Sequence, residues 1–387
     1  MTAGHGSYQS EIYAAGLADQ VPPFTTNGAG LESSAREIMP KEAFGYVAGA
    51  AGAGKTAEAN RAAFDNWRIV PRMLRDATAR QTATEVLGTM MPAPVLLAPI
   101  GVQSILHPEG ELATARAAAE LGVPMVMSTA SSYSIEDVAE ANGEGSRWFQ
   151  LYWPNDPDVC VSILQRAEKA DFTTLVVTLD TWQLGWRPSD LDSAYLPFLR
   201  GIGTEVYFSD PVFRAGLSAS PEEDLGSAVA HWLPMFSGTD RNWENLPFLR
   251  EHWGGPIVLK GIQHIDDARR AVEAGMDGIV VSNHGGRQVD GAIASLDALP
   301  GIAEAVGDRI EILFDSGIRT GADAIKALSL GARAVLLGRP YAYGLAHAGQ
   351  AGVRHTLRGF LAELDLTLSL SGNRELADLG RHTLSRA

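Results

Sequence analysis

The sequence predicts a (β/α)8 barrel with an N-terminal helical extension and a long insertion after the fourth strand. Eight short apolar runs, rich in β-branched residues or leucine, recur through the middle of the chain. They cover residues 95–100, 124–129, 148–152, 175–180, 257–260, 278–283, 312–315 and 334–338. Continuous apolar runs are typical of strands buried on both faces, as a parallel sheet requires. Strand–helix alternation repeated eight times favours a closed barrel over its rival, a doubly wound open sheet.

Helical patterns between most of these runs support the same fold. Apolar or alanine positions recur at three-to-four spacing in residues 110–121, 135–141, 158–170, 265–274 and 321–330. Two of these helices have recognisable start signals, because Ser134 precedes the second and Asp156-Pro157 precedes the third.

The regular spacing breaks once, because about seventy residues separate Asp180 from Pro256 where a βα unit needs far fewer. Most of this stretch, residues 189–250, is predicted to be an excursion at the C-terminal rim, acting as a lid or a subunit contact. It contains nine acidic residues, four arginines and no lysine, so an anionic membrane surface would repel it. We expect one domain, residues 1–387, with a helical cap (1–90), the barrel (91–350) and C-terminal helices (351–387).

Composition excludes several classes of function. The 387-residue chain has a formal net charge of −15, and it has no run of lysine and arginine that would bind nucleic acid. Cys160 is the only cysteine, which excludes an intrachain disulfide and a cysteine-ligated metal site. We expect a buried structural thiol there and no metal. The polar N-terminus does not resemble a secretory signal, and the longest apolar run, residues 93–102, is far shorter than the roughly 20 residues of a membrane span. The cytoplasm is the expected location.

Polar and charged side chains collect directly after the predicted strands. The strand ends carry Pro99-Ile100-Gly101, Ser128-Thr129, Gln150-Leu151-Tyr152, Asp180-Thr181, Lys260-Gly261, Ser282-Asn283-His284-Gly285-Gly286-Arg287, Asp315-Ser316-Gly317 and Gly338-Arg339. The carboxyl ends of barrel strands meet on one face, where barrel enzymes build their active sites. These residues are therefore predicted to form one site.

The last two strand ends are predicted to bind a phosphate. Glycines in residues 315–321 let backbone N–H groups approach an anion, and the following helix would present its positive N-terminus. Gly338-Arg339 adds a second loop and a guanidinium suited to bidentate contact. The alternative interpretation is two glycine turns that carry surface arginines.

A nucleotide-binding motif in residues 49–56 is misleading. Gly49, Gly54, Lys55 and Thr56 satisfy the pattern G-x4-G-K-[ST], but a genuine P-loop follows a buried strand. The residues before this segment read as a helix around Pro40. We therefore interpret the segment as a flexible turn.

The segment Ser282-Asn283-His284-Gly285-Gly286-Arg287-Gln288 resembles the FMN-dependent L-2-hydroxy acid oxidases and dehydrogenases. Further similarities to that family are Tyr46, Phe149-Gln150-Leu151-Tyr152, Thr178-Leu179-Asp180-Thr181, Gly185-Trp186-Arg187-Pro188, Lys260-Gly261 and Asp315-Ser316-Gly317-Ile318-Arg319. The similarity runs from about Ser7 to the C-terminus. The resemblance implies FMN as the cofactor, and a small L-2-hydroxy acid and O2 as the substrates. It also implies a homotetramer or an octamer.

The resemblance also implies a role for each site residue. His284 would be the catalytic base, with Asp180 orienting it, and Arg187, Arg287 and Tyr46 would hold the substrate carboxylate. Tyr152 would hydrogen-bond the substrate or the product, and Lys260 would lie beside the flavin edge where negative charge appears on reduction. The remaining cofactor-binding residues would be Pro99, Ile100, Gly101, Ser128, Gln150, Thr178, Ser282, Asp315, Gly317, Arg319, Gly338 and Arg339. Structural alternatives are a helix cap for Asp180, a core position for Tyr152 and an ion pair with an excursion acid for Arg187.

Within the family, the chain resembles the lactate 2-monooxygenases. The shared features are the chain length, residues 98–102 and the long excursion. It implies conversion of lactate and O2 to acetate, CO2 and water. Gly101, where many simple oxidases have alanine, is expected to leave room for oxygen or retained product. Alternatives are an oxidase that releases the keto acid and H2O2, a dehydrogenase with another electron acceptor, and a flavin-free lyase with Lys260 as the Schiff-base former. A further alternative is a non-catalytic scaffold, although the set of charged site residues argues against it.

Overall fold

The computed structural model describes residues 4–76, 80–236 and 241–387. Residues 237–240 of the predicted excursion lie outside the described part of the chain.

The chain enters the fold through four helices and three short strands, so the predicted helical cap also contains β-structure. These elements are α1 (Ser7–Gly16), α2 (Leu31–Ile38), α3 (Lys41–Ala48), α4 (Lys55–Asp65), β1 (Trp67–Ile69), β2 (Thr84–Val86) and β3 (Thr89–Met91). β2 and β3 form an antiparallel hairpin whose two turn residues, Leu87 and Gly88, both have positive φ. Trp148 in the barrel donates from Nε1 to Thr89 Oγ1 at 2.9 Å, so the hairpin covers one end of the barrel interior.

Eight parallel strands close into a barrel in the order in which they occur along the chain, which confirms the predicted fold. They are β4 (Val95–Leu97), β5 (Met125–Ser128), β6 (Arg147–Leu151), β7 (Leu175–Thr178), β8 (Ile257–Ile262), β9 (Gly278–Val281), β10 (Glu311–Phe314) and β11 (Ala334–Leu337). β11 pairs with β4 and completes the ring. Each strand lies within or overlaps the run predicted for it.

Helices surround the barrel and build the excursion. In chain order they are α5 (Gly110–Leu121), α6 (Ile135–Asn142), α7 (Pro157–Lys169), α8 (Pro188–Asp192), α9 (Glu205–Phe208), α10 (Pro211–Ala215), α11 (Leu225–Phe236), α12 (Leu246–His252), α13 (Ile265–Glu273), α14 (Ser295–Val306), α15 (Gly321–Ser329) and α16 (Arg339–Leu370). Ser134 caps α6 and Asp156 caps α7, as the sequence predicted. The sequence analysis missed α14, which contains an internal proline, Pro300.

The predicted excursion ends earlier than residue 250. α12 begins at Leu246 and packs against α7, so it belongs to the outer ring of helices. The excursion proper consists of α8 to α11 with two short 3-10 turns.

The C-terminal region is helical only in part. α16 runs through the predicted boundary at residue 350 and kinks there, with Gly349 at φ +55. The predicted helices beyond residue 370 are absent in the described structure; two 3-10 turns lead instead to a strand, β12 (Leu384–Arg386). β12 pairs antiparallel with β1, Trp67 opposite Arg386, so the last residues close onto the N-terminal cap.

The barrel interior is packed with apolar side chains from all eight strands. Leu96, Val126, Trp148, Val258 and Val280 are at most 3% exposed and belong to one cluster inside the ring. Burial of each such side chain contributes about 1.5–3 kcal/mol. The outer faces of the same strands pack under the helices, which explains why the runs are continuous in the sequence. Cys160 is fully buried, which confirms the predicted structural thiol, and burial raises its pKa to about 12.

Candidate active site

A cavity lies at the carboxyl ends of the barrel strands and brings together most of the predicted site residues. Those that line it are Tyr46, Pro99, Ile100, Gly101, Tyr152, Arg187, Lys260, His284, Arg287, Asp315, Gly317, Arg319, Gly338 and Arg339. They come from positions spread over almost three hundred residues of sequence, which only the closure of the barrel brings into contact.

The other predicted residues lie behind this lining or beside it. Asp180 reaches the cavity through its contact with His284, and Ser282 contacts Lys260. Ser128 donates to Gln150 Oε1 at 2.9 Å. Thr178 instead lines a neighbouring cavity on the far side of Tyr152.

His284 and Asp180 form a buried pair. Nδ1 of His284 lies 2.8 Å from Asp180 Oδ1 and 3.0 Å from Thr181 Oγ1. Burial lowers the pKa of His284, and Asp180 only partly offsets this effect. The pKa of Asp180 falls to about 2 although burial raises it, because His284 and Lys260 stabilise the carboxylate. His284 is therefore neutral near pH 7, with its proton on Nδ1 and a lone pair on Nε2.

Two arginines face the same cavity without an acidic partner. Arg187 donates from Nη2 to Gln288 Oε1 at 2.6 Å, and Arg287 donates to the carbonyl oxygen of Gly49 at 3.0 Å. Burial, followed by the charge of Arg187, lowers the pKa of Arg287 to about 9. Neither guanidinium lies within 4.0 Å of a carboxylate in the described part of the chain, so the alternative ion pair for Arg187 is not formed. The pair is suited to an anionic ligand.

A second concentration of positive charge lies beside Arg287, because Arg339 and Arg287 both donate to the carbonyl oxygen of Gly49. Burial and the nearby Arg339 lower the pKa of Arg319 to about 10. Arg339 donates to three backbone carbonyl oxygens, of Val47, Gly49 and Gly285, at 2.9–3.0 Å. Arg339 therefore braces the surrounding loops as well as adding charge.

The helix that was predicted to face a phosphate is already capped. Asp323 accepts from the backbone N–H groups of Arg319 and Thr320, and Glu363 accepts from Gly321 N–H. The N-terminus of α15 is thus satisfied within the protein, which corrects that prediction. α16 begins at Arg339, immediately after the cavity residue Gly338.

Lys260 is a buried cation that lines the cavity, and Gln150, beside the lining, has an unpaired amide donor. Nζ of Lys260 lies 3.2 Å from Asp315 Oδ2 and 3.0 Å from Ser282 Oγ. Burial opposes the charge of Lys260, but Asp315 and Asp180 outweigh it and raise its pKa. Gln150 Nε2 is buried without a hydrogen-bond partner in the described structure, because Ser128 holds only the amide oxygen. An orphaned donor and a cation here, with Arg319 and Arg339 in the loops after β10 and β11, fit the ring and the phosphate of FMN.

Three side chains of the loop after β7 and of the excursion complete the cavity, and the sequence analysis did not place them. Leu184, Phe198 and Phe236 line it. The ring of Phe236 packs edge-on against Tyr152, with centroids 5.1 Å apart, and it lies 5.8 Å from Phe198. No periodic pattern in the excursion shows which of its aromatic side chains face the site.

Gly101 lines the cavity but does not enlarge it, which corrects the expectation from the sequence. A Cβ atom on Gly101 would lie 2.5 Å from the carbonyl oxygen of Ala130 and 2.7 Å from its Cβ. The space that a methyl group would need is filled by Ala130. The glycine allows two strand-end loops to approach closely, and Val102 N–H donates to Ala130 O at 2.8 Å.

The described residues form neither a P-loop nor a metal centre. Residues 49–56 follow helix α3 rather than a strand, which is not the context of a P-loop. No three His, Cys, Asp or Glu side chains in the described ranges are grouped closely enough to hold a metal ion. No helix in that part of the chain is both long enough and apolar enough to cross a membrane.

Comparison with known proteins agrees with this geometry. Residues 35–386 match the model of the FMN-dependent dehydrogenase family. An FMN-dependent alpha-hydroxy acid dehydrogenase of Penicillium citrinum is 51% identical over 98% of this chain and 96% of its own. An L-lactate oxidase of Lysinibacillus sphaericus is 44% identical, covering 94% of this chain and 93% of its own.

The crystal structure of mandelate oxidase with (S)-4-hydroxymandelic acid is also similar. It superimposes with a TM-score of 0.83 at 39% identity, covering 94% of this chain and 99% of that one. On these matches, and with a cavity that fits the cofactor, the chain belongs to the FMN-dependent dehydrogenase family and uses FMN.

Proposed function

We propose that this chain oxidises a small L-2-hydroxy acid to the 2-keto acid, with lactate as the first candidate substrate. The observation that carries the proposal is the pairing, in one cavity, of a neutral histidine with two arginines that have no acidic partner. Such a substrate offers a carboxylate to Arg187 and Arg287, and a hydroxyl proton to His284. The relatives named as alpha-hydroxy acid dehydrogenase and L-lactate oxidase support this chemistry.

Each side chain has a defined task in this reaction. Nε2 of His284 takes the hydroxyl proton, and Asp180 stabilises the imidazolium that forms. Tyr46 and Tyr152 are the neutral donors beside the substrate, since burial raises the pKa of both phenols. FMN, when bound, accepts the two electrons that leave the substrate and passes them to O2.

Lys260 is suited to an electrostatic role rather than to a covalent one. A Schiff-base lysine needs a lowered pKa so that its amine is free, whereas Asp315 and Asp180 raise the pKa of Lys260 against the effect of burial. A protonated lysine on the floor of the cavity stabilises negative charge that develops on the ring. This argues against the flavin-free lyase.

We further propose that the keto acid stays in the cavity while oxygen reacts, as in a lactate 2-monooxygenase. The balanced reaction is lactate plus O2 giving acetate, CO2 and water. Retention requires a slow exit, and Leu184, Phe198 and Phe236 place apolar bulk over the cavity. The same apolar lining suits a small apolar side chain on the substrate.

The second candidate is an oxidase, in which lactate plus O2 gives pyruvate and H2O2. Two observations favour it: Gly101 adds no space beside the ring site, and one relative is named L-lactate oxidase. The two candidates share every step up to reduction of the cofactor.

One experiment tests both the oxidation of a hydroxy acid and the fate of the oxygen. The holoenzyme is mixed anaerobically with a panel of L-2-hydroxy acids while the flavin absorbance is followed, and the products formed in air are then analysed. Bleaching by lactate, followed by acetate and CO2 with little peroxide, supports the monooxygenase. Stoichiometric peroxide with pyruvate indicates the oxidase. Bleaching without oxygen turnover indicates a dehydrogenase, and no bleaching by any hydroxy acid refutes the proposed function.

A further inference from the structure

Residues 49–56 carry the nucleotide-binding pattern that the proposed function leaves unused. The segment connects α3 to α4 and lies against the loop that follows β9, in which His284 and Arg287 are found. α4 packs directly on that loop, since a Cβ atom on Gly286 would lie 2.6 Å from the backbone nitrogen of Ala57. The segment is therefore a neighbour of the active site rather than a separate surface turn.

An internal carboxylate occupies the place that a phosphate takes in a P-loop. Asp290 Oδ2 accepts from Ala53 N–H at 2.7 Å, and Asp290 Oδ1 accepts from Thr56 N–H at 3.1 Å. Gly52 has φ +53, and a Cβ atom on it would lie 2.6 Å from Asp290 Oδ2. The first turn of α4 favours a negative charge here, and these backbone donors lower the pKa of Asp290.

Further hydrogen bonds tie the same segment to both sides of Arg287. Before it, Ala51 N–H donates to Gly286 O at 2.9 Å. After it, Thr56 Oγ1 donates to Val289 O at 2.8 Å and accepts from Ala292 N–H at 2.9 Å. Residues 286–292 are thus held by the cap at several points.

The loop that is held in this way is conformationally unfavourable. His284, Gly285 and Gly286 have φ values of +58, +66 and +76. A left-handed conformation is unfavourable for a non-glycine residue, so His284 keeps it only because surrounding contacts impose it. The contacts with residues 49–56 are among those that can do so.

We propose that Asp290 is a positioning residue: by filling the anion site of residues 49–56, it latches the His284–Arg287 loop in its working geometry. The inference rests on the proposed function for the roles of His284 and Arg287. It gives the nucleotide-like motif a structural use, as a socket for the protein's own carboxylate. A displacement of about 1 Å at a catalytic group can lower a rate by about a hundredfold, so the latch affects catalysis without touching the substrate.

The test compares Asp290→Ala and Asp290→Asn with Lys55→Met. Lys55 is the matched control, because it belongs to the motif but forms an exposed pair with Glu58. We expect Asp290→Ala to retain FMN, to bind oxalate more weakly and to reduce the flavin about tenfold more slowly. Asp290→Asn should recover part of the loss, because its amide oxygen still accepts one N–H. Lys55→Met should match the parent.

Formate distinguishes the loss of this positioning contact from general damage to the fold. Formate can enter the socket that Asp290→Ala empties and should speed flavin reduction in that variant, whereas in the parent it can only compete at the arginine pair. Parent-like rates and oxalate affinity in Asp290→Ala would overturn the proposal. So would a loss that neither formate nor the Asn variant relieves, or binding of ATP by the parent that Lys55→Met abolishes.

Amide hydrogen exchange separates this proposal from the proposed function. In Asp290→Ala, exchange should rise together in peptides covering residues 49–58 and 284–292, and formate should reverse it. This readout needs no substrate, so it remains decisive even if no hydroxy acid reduces the flavin of the parent. Unchanged exchange in both peptides would refute the latch.

Discussion

Replacing Asp180 with asparagine tests the electrostatic core of the proposed mechanism. The pKa of Asp180 falls from its ordinary 3.8 to about 2, although burial raises it, with His284 the first of the stabilising groups and Lys260 the second. At 1.36 kcal/mol per pKa unit, this net shift, after the opposing effect of burial, corresponds to about 2 kcal/mol in favour of the carboxylate. Asparagine keeps the shape and one acceptor but removes the charge. Flavin reduction should therefore slow by between about tenfold and a hundredfold.

The assay is anaerobic stopped-flow reduction of bound FMN, measured at saturating substrate and across pH. Asp180 is the largest influence that raises the pKa of His284 against burial, so its loss lowers that pKa further. In the parent the acid limb of kcat/KM should lie below pH 6.5, and in Asp180→Asn it should move to still lower pH. Thr181→Val is the matched control, because it removes the other contact on Nδ1, at 3.0 Å, without removing a charge. A rate within threefold of the parent, or an acid limb that moves to higher pH, would refute the reasoning.

Three further predictions follow from the site. His284→Ala should retain FMN and bind oxalate while flavin reduction slows by several orders of magnitude, and reduction within tenfold of the parent would remove His284 from the mechanism. Arg287→Met should weaken substrate and inhibitor binding by about 3–5 kcal/mol in titrations of flavin absorbance. Arg287→Lys should recover only part of this loss, so full recovery would contradict a fork-like contact. Gly101→Ala should lower the free energy of unfolding by about 1–3 kcal/mol, because its methyl group meets Ala130. The control Gly359→Ala, where no atom lies within 4 Å of the added Cβ, should not be destabilised in the same denaturation experiment.

The barrel was predictable because its signals are local. Each strand is buried on both faces, so each appears as a short apolar run, and the residue that follows the run lies at the active-site face without further information. His284 and Asp315 could be placed in this way from their positions after β9 and β10, and Lys260 from its position at the end of the apolar run 257–260, within β8. The individual roles of the residues in the cavity were predicted from the resemblance to a family and not from a pattern in the sequence.

The parts that were missed depend on contacts between distant segments. β12 is three residues long and exists because it pairs with β1, about three hundred residues earlier. The N-terminus of α15 looked available for an anion, but Glu363 of α16 reaches it. Gly101 was read as a source of space, whereas its close approach to Ala130 is set by a neighbouring loop. None of these contacts leaves a periodic trace in the sequence.

The division of the cavity between barrel and excursion has an evolutionary consequence. The groups suited to FMN lie at strand ends and in the last two loops, whereas Phe198 and Phe236, which line the same cavity, belong to a segment inserted between β7 and β8. Changes in that insertion can alter which hydroxy acid fits while the cofactor and the proton-transfer pair stay in place. Chimeras that exchange residues 188–236 between relatives should thus transfer substrate preference as a unit.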